Sequence, residues 1–196
     1  MRVTLGPLVA EAEDPTALDA FWTAALGAAQ CRRLLVFRPQ LRPKTVKNRV
    51  HLDLYVRDVG LLVGLGARVL AEHDGWTTLA DPEGNVFCAF PGTESLPGVQ
   101  PPARVFAVCT DSDRPEELAA WWARRVGAEV RDGPDNTPRW LYGSAGWENL
   151  IWKFVRVHDP RVVPNRWRWS VHPDPGVRVD PQGNEISVLR RGCPSD

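Results

Sequence analysis

The sequence lacks an excess of charge of either sign, because its 24 Lys and Arg residues balance its 24 Asp and Glu residues. A neutral chain has no global field that would favour nucleic acid or an anionic membrane surface. The sequence also lacks any apolar run near the roughly 20 residues of a membrane helix. Its N-terminus has neither the apolar region nor the cleavage site of a signal peptide. We therefore expect a cytoplasmic protein with no nucleic-acid partner and no membrane partner.

Cysteine is scarce, and the four cysteines are too scattered to form a structural zinc site. No C-x-x-C pair occurs among Cys31, Cys88, Cys109 and Cys193, although such pairs are typical of structural zinc. Cys88 and Cys109 lie in predicted strands, where a free cysteine behaves as a small hydrophobic residue. The pattern favours reduced thiols.

Lysine is scarce as well, and the motifs of several enzyme classes are missing. Lysine occurs only at Lys44, Lys47 and Lys153, which we attribute to high-GC coding bias in favour of arginine. The chain has no G-x-S-x-G elbow, no glycine-rich phosphate loop and no dinucleotide fingerprint. The common nucleotide-binding and acyl-transfer sites are therefore excluded.

A ten-residue motif occurs twice, at Asp81–Phe90 and again at Asp180–Leu189. Asp-Pro opens a tight turn in each copy, and Gly-Asn supplies residues that tolerate positive φ. An alternating run follows and predicts a strand. The copies differ at one informative position, where the first copy has Val86 and the second copy has Glu185. A carboxylate there could bind a metal ion, whereas valine could not.

Further matches indicate that the whole chain is a tandem duplication. Leu5–Ala28 aligns at an offset of 100 within the segment Arg104–Ala128, and both segments predict a strand, a helix with proline in its first turn and a glycine stop. Asn48-Arg49 aligns with Asn165-Arg166 at an offset of 117. The changing offsets imply a 17-residue insertion in the second copy, which predicts a hairpin, and a later loss of 18 residues that removes a helix.

Each copy therefore predicts the order β-α-β-β-β twice, which is an α+β pattern with helices on one side of a curved sheet. We place the first copy at residues 1–92, a Pro- and Gly-rich linker at 93–102 and the second copy at 103–196. The second module of the second copy is the one expected to lack its helix.

Four segments carry a resemblance to a known superfamily: Phe21-Trp22 with Leu26-Gly27, Val50–Leu54, Leu65–Ala67 and Trp76–Phe90. In this order they resemble the vicinal oxygen chelate superfamily, which includes glyoxalase I, bleomycin-resistance proteins and extradiol dioxygenases. The glyoxalase-like branch is the most similar. The resemblance implies tandem β-α-β-β-β modules that form curled, cup-like mixed sheets, with ligand or metal inside and helices on the outer face.

The resemblance also implies that His and Glu side chains of metal-using members project into the cup. His51 matches one such position, and strand alternation places Asp53 and Tyr55 on the same face. Val86 removes the first-copy carboxylate. In the second copy Glu185 is kept, but Arg168 stands where His51 stands, and arginine cannot ligate a metal.

We therefore expect no metal cofactor, and we expect Arg168 and Glu185 to form an ion pair or an anion-orienting pair. A divalent metal would require modules that pair across the copies, so that His51 and Glu185 share one cup. A third ligand would then have to come from Asp53, His73 or His172.

The predicted function is metal-independent binding of a small molecule, a drug or a metabolite, in an aromatic and polar cup. The predicted ligand-binding residues are His51, Asp53, Tyr55, Trp140, Arg168 and Glu185. One alternative is a metal-dependent lyase, isomerase or dioxygenase of the same superfamily. Another is a degenerate, non-catalytic paralogue whose cups are filled by its own side chains and which has an interaction role. The sequence is also compatible with a homodimer.

Overall fold

The computed structural model describes residues 1–92, 101–159 and 161–189. Most of the predicted linker, at 93–100, and Cys193 lie outside these ranges. Residues 1–92 contain β1 (Thr4–Leu5), β2 (Leu8–Ala12), α1 (Pro15–Leu26), α2 (Ala28–Leu34), β3 (Leu35–Pro39), β4 (Val50–Val56), α3 (Val59–Gly64), β5 (Arg68–His73), β6 (Trp76–Ala80) and β7 (Val86–Pro91). Residues 101–189 contain β8 (Ala103–Ser112), α4 (Pro115–Val126), β9 (Glu129–Asp132), β10 (Pro138–Tyr142), β11 (Ile151–Arg156), β12 (Trp167–His172) and β13 (Ile186–Val188).

Each of the two sheets takes strands from both halves of the chain. The larger sheet has eight strands in the order β5-β6-β7-β4-β8-β11-β10-β9, and the antiparallel pair β4–β8 joins the halves. The smaller sheet has the order β1-β12-β2-β3, with β13 alongside β12. Parallel and antiparallel pairs occur in both sheets. The predicted α+β fold with curled mixed sheets is confirmed.

Helices α1 and α4 lie between the two sheets, on the faces opposite the cups. In α1 the Trp22 indole lies 5.2 Å from Phe87 in the larger sheet and 6.0 Å from Trp167 in the smaller one, as ring centroids. In α4 the rings in contact with Trp122 are Trp152, in the larger sheet, and Trp169, in the smaller one. All of these indoles are buried. The core of the protein is therefore the aromatic layer between helix and sheet, as the apolar helix faces predict.

The first copy of the repeated motif forms a buried hydrogen-bonded turn. The Asp81 carboxylate accepts hydrogen bonds from the Glu83 and Asn85 backbone N–H groups, at 3.0 and 2.9 Å. It also accepts one from the Trp22 indole N–H, at 3.1 Å. Gly84 adopts a φ of 77°, which the tight turn requires and which favours glycine. The motif thus fastens α1 to the entrance of β7.

The second copy repeats this arrangement. Asp180 accepts from the Gln182 and Asn184 backbone N–H groups at 2.9 and 3.0 Å and from the Trp122 indole at 3.4 Å. In each half a further Asn donates to the motif's Asn at 2.8 Å: Asn48 to Asn85, and Asn165 to Asn184. The carboxylate that opens each motif therefore has a structural role.

The sequence prediction was incomplete after α1. Gly27, with φ 76° and ψ 148°, ends that helix but also opens the short helix α2. In the corresponding place of the second half, β9 and β10 form the predicted hairpin. The described residues between β12 and β13 contain an isolated bridge, Val179 to Glu185, and no helix. None of the helices in the described ranges combines the length and apolar character of a membrane span.

Candidate functional site

The concave face of the eight-stranded sheet brings together polar residues from three neighbouring strands. The register pairs His51 on β4 with Cys109 on β8, and Cys109 in turn with Lys153 on β11. Asp53 lies two residues along β4 on the same face. We call this concave face the cup and these four residues its floor. His51, Asp53 and Cys109 are buried, and Lys153 is mostly buried.

A buried ion pair dominates the floor. The Lys153 ammonium donates to Asp53 Oδ2 at 2.8 Å, and the two side chains are only 12% and 5% exposed. Burial by itself opposes the charge on Lys153. The charge and hydrogen bond of Asp53, with smaller contributions from Cys109 and Tyr142, together outweigh that effect and raise the pKa of Lys153. Lys153 is therefore an ammonium at neutral pH, held in place by the Asp53 carboxylate.

Cys109 is a hydrogen-bond donor to the same carboxylate. Its Sγ lies 3.2 Å from Asp53 Oδ2. Burial first, and then the negative charge of Asp53, raises the pKa of the Cys109 thiol well above its usual value. Cys109 is buried as a free thiol, as expected of a small hydrophobic residue, but its thiol also takes part in the polar floor.

Aromatic rings form the wall of the cup around the ammonium. Lys153 Nζ lies 4.7 Å from the ring centroid of Phe106, 5.0 Å from that of Trp140 and 5.7 Å from that of Phe90. These distances are within the range of cation–π attraction. Tyr55 stacks on Phe106 with centroids 4.1 Å apart and is 37% exposed, so it lies at the rim.

A β-bulge explains why Phe106 belongs to this wall. Asp53 pairs with Ala107 while the next residue, Leu54, pairs with Val105. Phe106 is therefore an extra residue on β8, and a bulge of this kind redirects a side chain. Without it, strict alternation from Cys109 would place Phe106 on the helix side.

His51 is buried beside the ion pair without joining it. Its Nε2 lies 3.7 Å from Asp53 Oδ1, which is too long for a hydrogen bond, and its Nδ1 has no partner among the described residues. Burial lowers the pKa of His51 despite the opposing charge of Asp53. His51 is therefore a neutral imidazole at neutral pH.

The floor contains three groups that could coordinate a metal ion. Donor atoms of His51, Asp53 and Cys109 lie within 4.8 Å of one another, which is close enough for one ion, and this donor set would suit zinc. However, a divalent cation on Asp53 would repel the adjacent Lys153 ammonium. The Cys109 thiol would also have to lose its proton. The floor therefore fits the ammonium better than a divalent ion.

The structure separates the residues predicted to bind ligand into two groups. His51, Asp53, Tyr55 and Trp140 meet in the cup, whereas Arg168 and Glu185 belong to the smaller sheet and its border. The predicted Arg168–Glu185 pair was wrong. Arg168 instead donates to Glu11 Oε1 on β2 at 2.7 Å.

Glu185 pairs with Arg161 and also accepts the Asn165 backbone N–H at 3.0 Å. The modules do pair across the halves of the chain, as a shared metal site would need. His51 nevertheless lies in the larger sheet, whereas Glu185 immediately precedes β13 of the smaller one, so the idea that they share one cup was wrong.

The two histidines considered as third ligands are also elsewhere. His73 bonds to Thr78 Oγ1 at 3.0 Å and stacks on Trp76, and His172 lies on β12 in the smaller sheet. Sequence reasoning missed Cys109, Lys153 and Phe106. One available signal was Lys153 itself, a rare lysine alternating with buried Trp152 and Phe154 in a predicted strand.

Comparisons with known proteins agree with this architecture. Residues 7–90 match the family model of the glyoxalase-like domain. Glyoxalase I from Zea mays has the same fold, with a TM-score of 0.61 at 13% identity over 95% of this chain and 92% of that one. A mutant of the same enzyme gives 0.60 at 12% identity over 95% and 93%. A Bacillus subtilis protein provisionally assigned as a dioxygenase gives 0.55 at 12% identity over 85% of this chain and 69% of that chain.

A search of curated proteins gave no match. The fold of the chain is thus the glyoxalase fold. The first copy matches the glyoxalase-like domain and the whole chain has the glyoxalase fold, so both are similar to the vicinal oxygen chelate superfamily that the sequence resembles.

Proposed function

We propose that the protein binds a small organic molecule in the cup without a metal ion, with the Lys153 ammonium supplying the positive charge. The observation that carries this proposal is the 2.8 Å ion pair between Lys153 and Asp53. It fixes a cation at the centre of the cup floor, next to the donor atoms that a metal would use.

The surroundings of Lys153 define the ligand's chemistry. An ammonium has three N–H donors, and Asp53 accepts one of them. The others are available to a carbonyl, carboxylate or phenolate oxygen. Tyr55, Phe106 and Trp140 offer ring faces on which a planar molecule can stack. We therefore expect a planar drug or metabolite with one oxygen acceptor, which apolar burial binds and Lys153 orients.

A metal-dependent lyase, isomerase or dioxygenase is the second candidate. It is favoured by the cluster of His51, Asp53 and Cys109 donors within 4.8 Å. In that case Lys153 would have to move away from Asp53 when the ion binds. The third candidate, a cup filled by its own side chains, requires that nothing binds over the aromatic wall.

A tryptophan-fluorescence screen against a library of planar aromatic acids and phenols, run in parallel with and without chelator, tests the proposal. Trp140 faces the cup, whereas Trp121 on α4 packs behind the sheet against Trp122. We expect quenching by some compounds that Trp140→Phe reduces and the matched control Trp121→Phe preserves. Lys153→Met should weaken binding about tenfold or more, because a hydrogen bond to a charged group is lost. No response across the library would overturn the proposal in favour of the filled cup. Binding that disappears with chelator would overturn it in favour of the metal enzyme.

A further inference from the structure

A cavity lies outside the cup, against the smaller sheet. Its volume is about 540 Å³, and its walls are the two segments that precede β4 and β12, residues 41–49 and residues 159 and 161–166. Glu11 on β2 and Arg168 on β12 form its floor. We call it the basic cavity. The two wall segments include Asn48-Arg49 and Asn165-Arg166, which the duplication aligns, so each half of the chain supplies an equivalent wall.

The lining of the basic cavity is rich in positive charge. Seven cationic side chains line it, against two carboxylates, Glu11 and Asp159; the cations are Arg42, Lys44, Lys47, Arg49, Arg161, Arg166 and Arg168. Two of the three lysines of the chain are among them. A concave surface with one predominant sign of charge concentrates counter-ions.

Five of the seven cations are already paired with carboxylates. The pairs are Lys47–Asp111, Arg49–Asp159, Arg161–Glu185, Arg166–Glu83 and Arg168–Glu11. Arg42 and Lys44 form no ion pair with any residue in the described ranges. The cavity therefore keeps two uncompensated positive charges.

The electrostatics of Lys44 agree with this excess of positive charge. Burial, followed by the charge of Arg166, lowers the pKa of Lys44. A bound anion would reverse that shift.

Most of the remaining lining is apolar, and part of it is open to solvent. Leu41 and Val162 are 83% and 69% exposed, and Pro43, Val46 and Pro164 lie beside them. Apolar side chains around a charged floor suit a ligand that has an apolar body and an anionic end.

We propose that the basic cavity binds a phosphate monoester of an apolar alcohol, at a site separate from the cup. The phosphate, with a charge of about −1.5 to −2 at neutral pH, matches the two uncompensated cations Arg42 and Lys44. The organic group lies against Leu41, Val46 and Val162. Arginine and lysine side chains recognise phosphate oxygens by charge-assisted hydrogen bonds.

Isothermal titration with three probes tests this inference: 1-naphthyl phosphate, neutral 1-naphthol and inorganic phosphate. We expect 1-naphthyl phosphate to bind with an affinity that falls as salt is added. Naphthol and inorganic phosphate should each bind at least about tenfold more weakly. Naphthol lacks the phosphate that meets the cations, and inorganic phosphate lacks the organic group that lies against the apolar lining. The double variant Arg42→Gln/Lys44→Gln should weaken 1-naphthyl phosphate on the order of 10- to 100-fold.

The matched control is Arg32→Gln/Arg124→Gln, which removes the same net charge from two exposed helix positions outside the cavity. It should preserve binding of 1-naphthyl phosphate. Equal affinities of the two double variants would overturn the inference, as would equal affinity for naphthol. The cup variant Trp140→Phe keeps the result separate from the proposed function. If it weakens 1-naphthyl phosphate and the cavity variant does not, the probe binds in the cup and the basic cavity is not its site.

Discussion

The Lys153 ammonium on β11 lies 2.8 Å from the Asp53 carboxylate on β4, and β8 runs between the two strands. The pair therefore links the two halves of the chain across the junction of the eight-stranded sheet. The same contact fixes a protein cation beside His51 and Cys109, the other donors of the cup floor. One ion pair thus bears on both the stability and the function of the protein.

Removing one member of this pair should destabilise the protein strongly. Lys153→Met leaves Asp53 charged and buried without its partner, and we expect the free energy of unfolding to fall by about 3–5 kcal/mol. The double variant Lys153→Met/Asp53→Asn removes both charges and should recover much of that loss. Urea denaturation of the two single variants and the double variant gives the coupling energy. Additive losses would show that the pair does not act as a unit.

The repeated motifs should contribute to stability in parallel. Asp81→Ala leaves the Trp22 indole N–H and the Asn85 backbone N–H buried without an acceptor, and Asp180→Ala does the same in the second half. Each substitution should lower the free energy of unfolding by about 2–4 kcal/mol. Glu13→Ala, at an exposed position, is the control and should stay within about 0.5 kcal/mol. Urea denaturation measures all three, and a small loss at either aspartate would contradict the structural role of the motif.

His51 should make stability depend on pH in the weakly acidic range. Burial lowers its folded-state pKa below the ordinary 6.5. Between these two values the unfolded chain binds more protons, so the free energy of unfolding falls as the pH drops below about 6.5. His51→Gln should remove this part of the dependence. Urea denaturation of both proteins between about pH 7.5 and 5 checks the sign. Parallel curves for the two proteins would show that His51 titrates normally in the folded state.

The fold could be predicted from the sequence because its signals are local and occur twice. The turn at Asp81–Asn85 and the helix that contains Trp22 each have a counterpart in the second half, so each supports the interpretation of the other. The sequence does not reveal helix α2, because Gly27 resembles a helix stop although its backbone joins two helices. A glycine after a helix can either end it or connect it to another helix, and the residue alone does not show which.

The cup could be predicted only in part. Strand alternation placed His51, Asp53 and Tyr55 on one face, since that rule operates within a strand. Cys109 and Lys153 join them through the register between strands of different halves, which no local pattern encodes. Phe106 reaches the wall only through a bulge.

The basic cavity was missed for a related reason. Its cations are distributed over two loops that lie far apart in the sequence, and the predominance of arginine over lysine was attributed to coding bias. Arg168 was expected near Glu185, but its partner is Glu11, on a strand more than 150 residues away along the chain. Local sequence patterns do not encode an ion pair between residues so far apart, so only the structure reveals it.

Metal analysis of the wild-type protein, purified without chelator and paired with the fluorescence assay, tests the central claim most directly. We predict less than stoichiometric zinc, nickel, manganese and iron, and the same ligand quenching before and after dialysis against chelator. Stoichiometric metal that is lost in His51→Gln, together with quenching that requires the metal, would show that an ion and not the Lys153 ammonium occupies the floor of the cup.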